Sequence, residues 1–429
     1  MRRILLGSMP VGGGHHALRD SFLESLQTAD PQRRIFDPVV FNSSDTRTAR
    51  FYGLVVNHVP WFQGVLFDLG RYRFGVRATY LASGPLRREV LDLFRESPPD
   101  VAVSTHFLLS MMFVKARDEL GLRFPVVNAI PDYGETVQAF YPEAPDLRAD
   151  YTIVMDRKTE HQLLYKMHHP PSRLHLGGFR PRPEFRQVAA LFDGQAKMPR
   201  ARRLELIARL KQEHPQLRHF DPEKKTLIFL GGSAWTEKTM PVIAQLLWNP
   251  AFTNTLNVIV VSGKNEIFRS ALANRVADNP RFSVFGFVPP KLMAELQAIS
   301  DVPVLGSIAP ASMHELMELR CGPLMLFHYI PGNETEHVTW IREKQIGLYE
   351  PLAPNMLRRL MEVTGFVQPG PEIERLVRNF PARAMAVRRD HEERANELPG
   401  FLANVADLRL TALSTSRQGA RARVARAGI

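Results

Sequence analysis

Cysteine is nearly absent from this chain. Cys321 is the only one among 429 residues, which excludes an intramolecular disulfide framework and a cysteine-rich zinc site and fits a reducing compartment. Long apolar runs are missing too: no stretch approaches the roughly 18 residues of a spanning helix. The start Met1-Arg2-Arg3-Ile4 resembles a secretory leader only briefly, because Gly12, Gly13, Gly14 and two histidines interrupt it, and it reads as a first buried strand. The sequence contains no His-Glu-x-x-His, no Gly-x-Ser-x-Gly and no clustered Cys/His set, so metal, serine-hydrolase and thiol chemistries lack support. Nor does a recognisable nucleic-acid module accompany its basic charge, and nucleic acid is not expected as a partner.

What is present describes a folded protein, with 45% hydrophobic and 23% charged residues. The length suits two domains of roughly 200 residues each. The formal charge is +11, which favours anionic partners without choosing among them. Part of it is local: beyond Ala403 five arginines (Arg409, Arg417, Arg421, Arg423 and Arg426) stand against Asp407 in a segment rich in Ala, Ser and Gly. Residues 401–429 therefore read as a basic, disordered tail.

Apolar runs alternate with helical periodicity in the rhythm of a doubly wound α/β sheet. The runs Ile4–Leu6, Asp100–Ser104, Pro125–Ile130 and Tyr151–Met155 predict strands, with helices over His16–Gln27 and Leu108–Leu120. The rhythm returns with strands at Thr226–Leu230, Leu256–Val261, Arg281–Phe285, Val302–Leu305 and Leu324–Phe327. Helices are predicted at Thr239–Leu247, Glu266–Ala277, Lys291–Ile299 and Ser312–Leu319. The divisions expected are a first domain over 1–185, a linker over 186–220 holding a charged helix at Arg200–Glu213, a second domain over 221–370, and a helical segment over 371–400. One stretch departs from this rhythm: 51–80 carries Phe51, Tyr52, Trp61, Phe62, Phe67, Tyr72, Phe74 and Tyr80 interleaved with Arg71, Arg73 and Arg77. Such a mixture suits a lipid interface. It suits an ordinary helical subdomain with outward arginines equally.

The turn Gly12-Gly13-Gly14-His15 follows the first strand. Contiguous glycines allow close backbone approach, and the next helix start offers free amides to an anion. It is neither a dinucleotide fingerprint nor a P-loop, since the Gly-x-Gly-x-x-Gly spacing and a Gly-Lys-Ser/Thr are both missing. His15 on such a turn has a pKa suited to taking a proton from a hydroxyl. Asp132, after the strand ending at Ile130, is placed to bind a substrate hydroxyl, to steady a His15 imidazolium, or to cap its own turn. His106 holds a similar place after Ser104. In the second half, Gly232 and Ser233, and then Gly263, Lys264 and Asn265, end adjacent apolar strands and form a candidate phosphate pocket. Lys264 is a diphosphate contact or a solvent-facing lysine. Glu315, on the helix entered through Ser312, is a ribose acceptor or a surface residue, and Glu334 in the loop with Asn333 is a candidate sugar contact.

Together these positions resemble the two-domain glycosyltransferase family of monogalactosyldiacylglycerol synthases, diacylglycerol glucosyltransferases and the peptidoglycan N-acetylglucosaminyltransferase. The likeness covers roughly Arg3 to Glu350. Gly12-Gly13-Gly14-His15 matches the acceptor loop, Asp132 the aspartate after its strand, and Gly177-Gly178-Phe179-Arg180-Pro181 the Gly-x-Pro segment closing the first domain. Val261-Ser262-Gly263-Lys264-Asn265 resembles the donor Ser-Gly-x-Asn element, and Gly286-Phe287-Val288 the turn beside the uracil. Asp301 to Glu315 resembles the motif ending in a ribose-binding glutamate, and Pro331-Gly332-Asn333-Glu334 the Pro-Gly-Gln-Glu loop. The resemblance implies two Rossmann-like domains facing across a cleft (the GT-B fold), a UDP-sugar donor, a lipid acceptor such as diacylglycerol, an anionic membrane surface as partner, and a cytoplasmic, peripheral place on the inner face of the cell membrane. It implies direct displacement with inversion, His15 acting as base with help from Asp132, and neither cofactor nor metal.

Four departures accompany the likeness. Gly306-Ser307-Ile308-Ala309 replaces Lys-Pro-Gly-Gly, whose glycines reach positive φ values that Ile308 and Ala309 adopt only at a cost. His337 stands for an asparagine, and Val137 and Phe140 for a histidine and a tryptophan. An epimerase or hydrolase of the same fold, and an inactive membrane- or nucleotide-binding relative, remain as alternatives.

Overall fold

Two parallel six-stranded sheets organise the chain. The computed structural model describes residues 1–10, 13–44, 65, 72–134, 140–142, 144–232, 235–332 and 334–407. Gly12, Ser233, Asn333, Val137, most of 51–80 and the tail beyond Asp407 lie outside the described residues. The first sheet comprises β1 (Arg2–Ser8), β2 (Phe36–Asn42), β3 (Val101–Ser104), β4 (Val126–Ile130), β5 (Tyr151–Val154) and β6 (Leu174–Leu176), ordered β2-β1-β3-β4-β5-β6. The second comprises β7 (Lys225–Leu230), β8 (Leu256–Val261), β9 (Phe282–Phe285), β10 (Val302–Leu305), β11 (Leu324–Leu326) and β12 (Gly347–Tyr349), ordered β12-β11-β10-β7-β8-β9. Helices of the first half are α1 (Gly13–Ala29), α2 (Arg73–Ala82), α3 (Gly84–Glu96), α4 (Phe107–Glu119), α5 (Arg157–His161) and α6 (Pro183–Ala189). After α7 (Arg200–Glu213) come α8 (Met240–Leu247), α9 (Pro250–Thr253), α10 (Glu266–Arg275), α11 (Pro290–Ala298), α12 (Pro310–Glu318), α13 (Thr335–Lys344), α14 (Ala353–Thr364) and α15 (Pro371–Asp407).

The fold class read from the sequence is the one observed: two Rossmann-like domains of the GT-B architecture. Central strands were legible because helices cover both faces of a parallel sheet, so those strands are continuously apolar. β2, β6 and β12 were not read as strands, and all three are edges. β2 carries Pro38, which an edge tolerates, while β6 and β12 are three residues long.

The order in which strands are added reverses between β1 and β3 in the first sheet and between β7 and β10 in the second, while all strands stay parallel. There Gly7 pairs with Ser104, and Leu305 with Leu230. Ligand crevices open at the carboxyl ends of strands at such switch points. The last helix then ties the domains together. It was expected to end near residue 400 but continues to Asp407, because its final turns bury Leu402 and Val405 and Asp407 meets Arg2 at 2.7 Å. Earlier in α15, Arg394 donates to the Met155 and Gly177 carbonyls, each at 2.9 Å. A Cβ on Gly178 would fall 1.8 Å from the His391 carbonyl oxygen, so the Gly177-Gly178 pair is the seat of this helix.

Candidate active site

On the first domain, α1 begins directly behind the carboxyl end of β3. His15 Nδ1 lies 2.5 Å from the Thr105 carbonyl, and Thr105 Oγ1 donates to the His15 carbonyl at 3.0 Å. A carbonyl only accepts, so Nδ1 carries the hydrogen and Nε2 keeps its lone pair. Burial pushes the His15 pKa below the ordinary histidine value, against the opposing pull of the Asp132 carboxylate and the Thr105 bond. The ring is thus a neutral base at pH 7. His106 meets it edge-on at 4.7 Å. The Nδ1 of His106 accepts from the Leu108 amide at 3.2 Å and caps α4, so the expected acceptor-side residue serves as a buried helix cap.

Asp132 is buried, and its nearest charged neighbour is His337 of the second domain, with Oδ1 3.3 Å from Nε2. It therefore acts on His15 through its field. Gly14 faces Ala309: a Cβ added at Gly14 would stand 3.9 Å from the Ala309 Cβ. The starts of α1 and α12 thereby meet across the cleft.

In the second domain the turn after β10 is held from several sides. Gly306 is required by close packing, since its Cβ would lie 2.4 Å from the Trp235 carbonyl oxygen. The strain expected at Ile308 and Ala309 does not arise. Ala309 is extended, with φ −99° and ψ 151°, and Ile308 is not among the described residues with positive φ. Glu334 joins two segments, accepting from Ser307 Oγ and from the Ile330 amide, each at 2.7 Å. Burial raises its pKa to about 7 against those hydrogen bonds. These bonds make the carboxylate a brace of the turn.

Glu315 pairs across the domains. Arg182, from the start of α6, grips both its oxygens at 2.6 and 3.1 Å. Burial nonetheless pushes the Glu315 pKa up. A carboxylate engaged twice by a guanidinium is an interdomain anchor. Asn265 is committed too: its side chain accepts from the Phe268 amide at 3.0 Å, capping α10, and its amide donates to Glu237.

The remaining donor-side residues lie at the carboxyl ends of β8 and β9 and the first turn of α12. Gly263 has φ 62°, a conformation glycine adopts freely. Gly232 (φ 59°) ends β7. Lys264 Nζ stands 5.9 Å from the Phe287 ring, which is 67% exposed, while Val288 is buried and Ser312 half-buried. Nothing local in the sequence signals Arg182, Lys158 or the His314 pairing. Lys158 meets Glu336 at 2.9 Å, and the Tyr133 hydroxyl meets His314 Nε2 at 2.5 Å.

Among the described residues, no group of His, Cys, Asp and Glu could hold a metal ion, and no helix is long and apolar enough to cross a membrane.

These features define a GT-B-fold protein, an architecture shared with solved enzymes of nucleotide-sugar metabolism. The MnaA protein of S. aureus, solved with UDP, is similar over 94% of this chain and 97% of its own, with TM-score 0.58 and 10% identity. The UDP-GlcNAc 2-epimerase of Neisseria meningitidis, bound to UDP-GlcNAc, matches over 91% and 100%, with TM-score 0.54 and 11% identity. The α,α-trehalose 6-phosphate synthase of Burkholderia multivorans matches over 97% and 98%, with TM-score 0.56 and 13% identity. No protein-family model and no curated protein matches the chain. The shared property is the fold. It supports the two-domain part of the resemblance and does not single out the galactolipid or peptidoglycan enzymes.

Proposed function

We propose that this protein binds a UDP-sugar between its domains and breaks the bond from the anomeric carbon to the diphosphate, with His15 as proton acceptor. The observation that carries this reading is the meeting of the two switch points, where Gly14 and His15 at the start of α1 face Ala309 at the start of α12. Two helix N-termini turned to one place favour an anion there. Phe287 and Lys264 offer a flat face and a cation at the nucleotide end. The C1–O electron pair leaves on the diphosphate, and His15 Nε2 accepts one proton. In an elimination that proton comes from sugar C2 as the C1=C2 bond forms, and return of UDP to C1 with a proton delivered to the opposite face of C2 gives the epimer; in hydrolysis the proton comes from the water whose oxygen bonds to C1.

Epimerisation or hydrolysis is the reading favoured by the UDP- and UDP-GlcNAc-bound fold neighbours and by a cleft pinned shut by Lys158–Glu336 and Tyr133–His314. Transfer to a lipid such as diacylglycerol is the second reading. Its support is on α2, where Phe74 and Leu81 are 81% and 77% exposed beside Arg77. A peripheral position on an anionic membrane belongs to this second reading.

Incubation with labelled UDP-GlcNAc, UDP-glucose and UDP-galactose, with and without anionic vesicles containing diacylglycerol, separates the two. Epimer, or free sugar and UDP, formed without vesicles supports the first reading. Vesicle-dependent label in lipid supports the second, and Phe74→Glu with Leu81→Glu then abolishes it. All donors intact in every arm overturns the proposal for those donors.

A further inference from the structure

His337, which replaces the asparagine of the resembling family, is wholly buried between the domains. Its Nδ1 lies 2.9 Å from the Ile308 carbonyl and so carries a hydrogen. Its Nε2 stands 3.3 Å from Asp132 Oδ1 and 3.3 Å from the Tyr133 amide nitrogen. These neighbours make opposite demands: the carboxylate requires a hydrogen on Nε2, the amide a lone pair. A single proton decides which bond is made.

We propose that His337 is a positioning residue that works as an imidazolium, clamping Asp132 of the first domain to the Ile308 turn of the second and setting the field Asp132 exerts on His15. The groups facing it favour that form. The loop after β4 presents Asp132, the approach to α13 presents Glu334, and the turn after β10 presents the Ile308 carbonyl. The Tyr133 hydroxyl is committed to His314 of α12, and on α13 the adjacent Glu336 is neutralised by Lys158 of α5. Burial pulls the His337 pKa down, yet the bond to and charge of Asp132, followed by Glu334 and the Ile308 carbonyl, carry it above the ordinary value. A raised histidine stabilises below its unfolded pKa and loses that contribution as pH rises through the folded one. The clamp is therefore closed on the acid side of the folded His337 midpoint, which lies above the ordinary histidine value, and is released as pH rises through it.

The inference about His15 rests on its reading as the base; the protonation state of His337 does not. The first test is imidazole ¹⁵N NMR of the full chain, with the His337 signal among the 14 histidines assigned by its loss in His337→Asn. The expected result is an imidazolium at pH 7 whose midpoint falls by about one pH unit, tenfold in proton affinity, in Asp132→Asn. A neutral ring at pH 7, or a midpoint indifferent to Asp132→Asn, overturns the clamp. The second test is the pH profile of UDP-sugar turnover in His337→Asn and His337→Gln. Removing the cation exposes His15 more fully to Asp132, so the acidic limb should move up by about half a pH unit, with kcat changed more than KM. A lower kcat with an unmoved limb leaves His337 merely structural. Absence of turnover in the wild type refutes the proposed function, and the NMR result then decides the clamp alone.

Discussion

The two turns that meet in the cleft are built in opposite ways. After β1 the chain presents His15 with one nitrogen tied to the Thr105 carbonyl and the other without a hydrogen-bond partner among the described residues. After β10 the polar groups are spent on one another: Ser307 on Glu334, the Ile308 carbonyl on His337, and the Gly306 carbonyl on His328 at 3.0 Å. The first turn leaves room for the proton transfer proposed above, and the second is a braced frame. A base needs an unclaimed lone pair, whereas amides that receive an anion need a fixed position. The departures Ser307, Ile308, Ala309 and His337 lie in the frame, where bracing replaces glycine flexibility.

The largest effect that could break this contrast is on turnover. His15→Ala should lower kcat by about 10²–10⁴-fold while UDP binding by calorimetry persists. Retained turnover would place the base elsewhere. Arg182→Ala leaves the buried Glu315 carboxylate without its cation, and since Arg182 is about a third exposed the loss belongs at the low end, about 3 kcal/mol in urea denaturation. An unchanged midpoint would show that the interdomain anchor is idle. Gly306→Ala drives a methyl against the Trp235 carbonyl and should destabilise by about 2 kcal/mol by the same measurement.

The smallest effect sharpens the contrast. Glu334, raised to about 7, takes up a proton as pH falls through neutrality and places less negative charge beside a bound diphosphate. UDP affinity should therefore rise a few-fold from pH 8 to pH 6, roughly the reach of one partly screened charge. Glu334→Gln should flatten that slope, and an identical slope in the variant would exclude Glu334 as its source.

Much of the architecture was legible in the sequence. The central strands announce themselves by apolar runs, and α7 has the bounds its charged periodicity predicts. Three of the four edge strands, β2, β6 and β12, were not, because short or half-exposed strands carry little apolar signal. At the candidate site, the positions of His15 and Asp132 just after strands were legible, since a strand's carboxyl end is a local feature. His337 was noticed only as a departure from a motif, and Glu315 and Glu334 were given ligands because nothing local reveals that Arg182 and Ser307 already hold them.

The sequence by itself determined two doubly wound α/β sheets and a histidine at the first turn. Only the tertiary structure decided which charges are free. Asp132 meets His337, and Arg182 meets Glu315, across two separately folded sheets. Hydrophobic periodicity fixes which face of an element is buried, but a carboxylate's partner depends on how the two domains dock, and no local pattern encodes that.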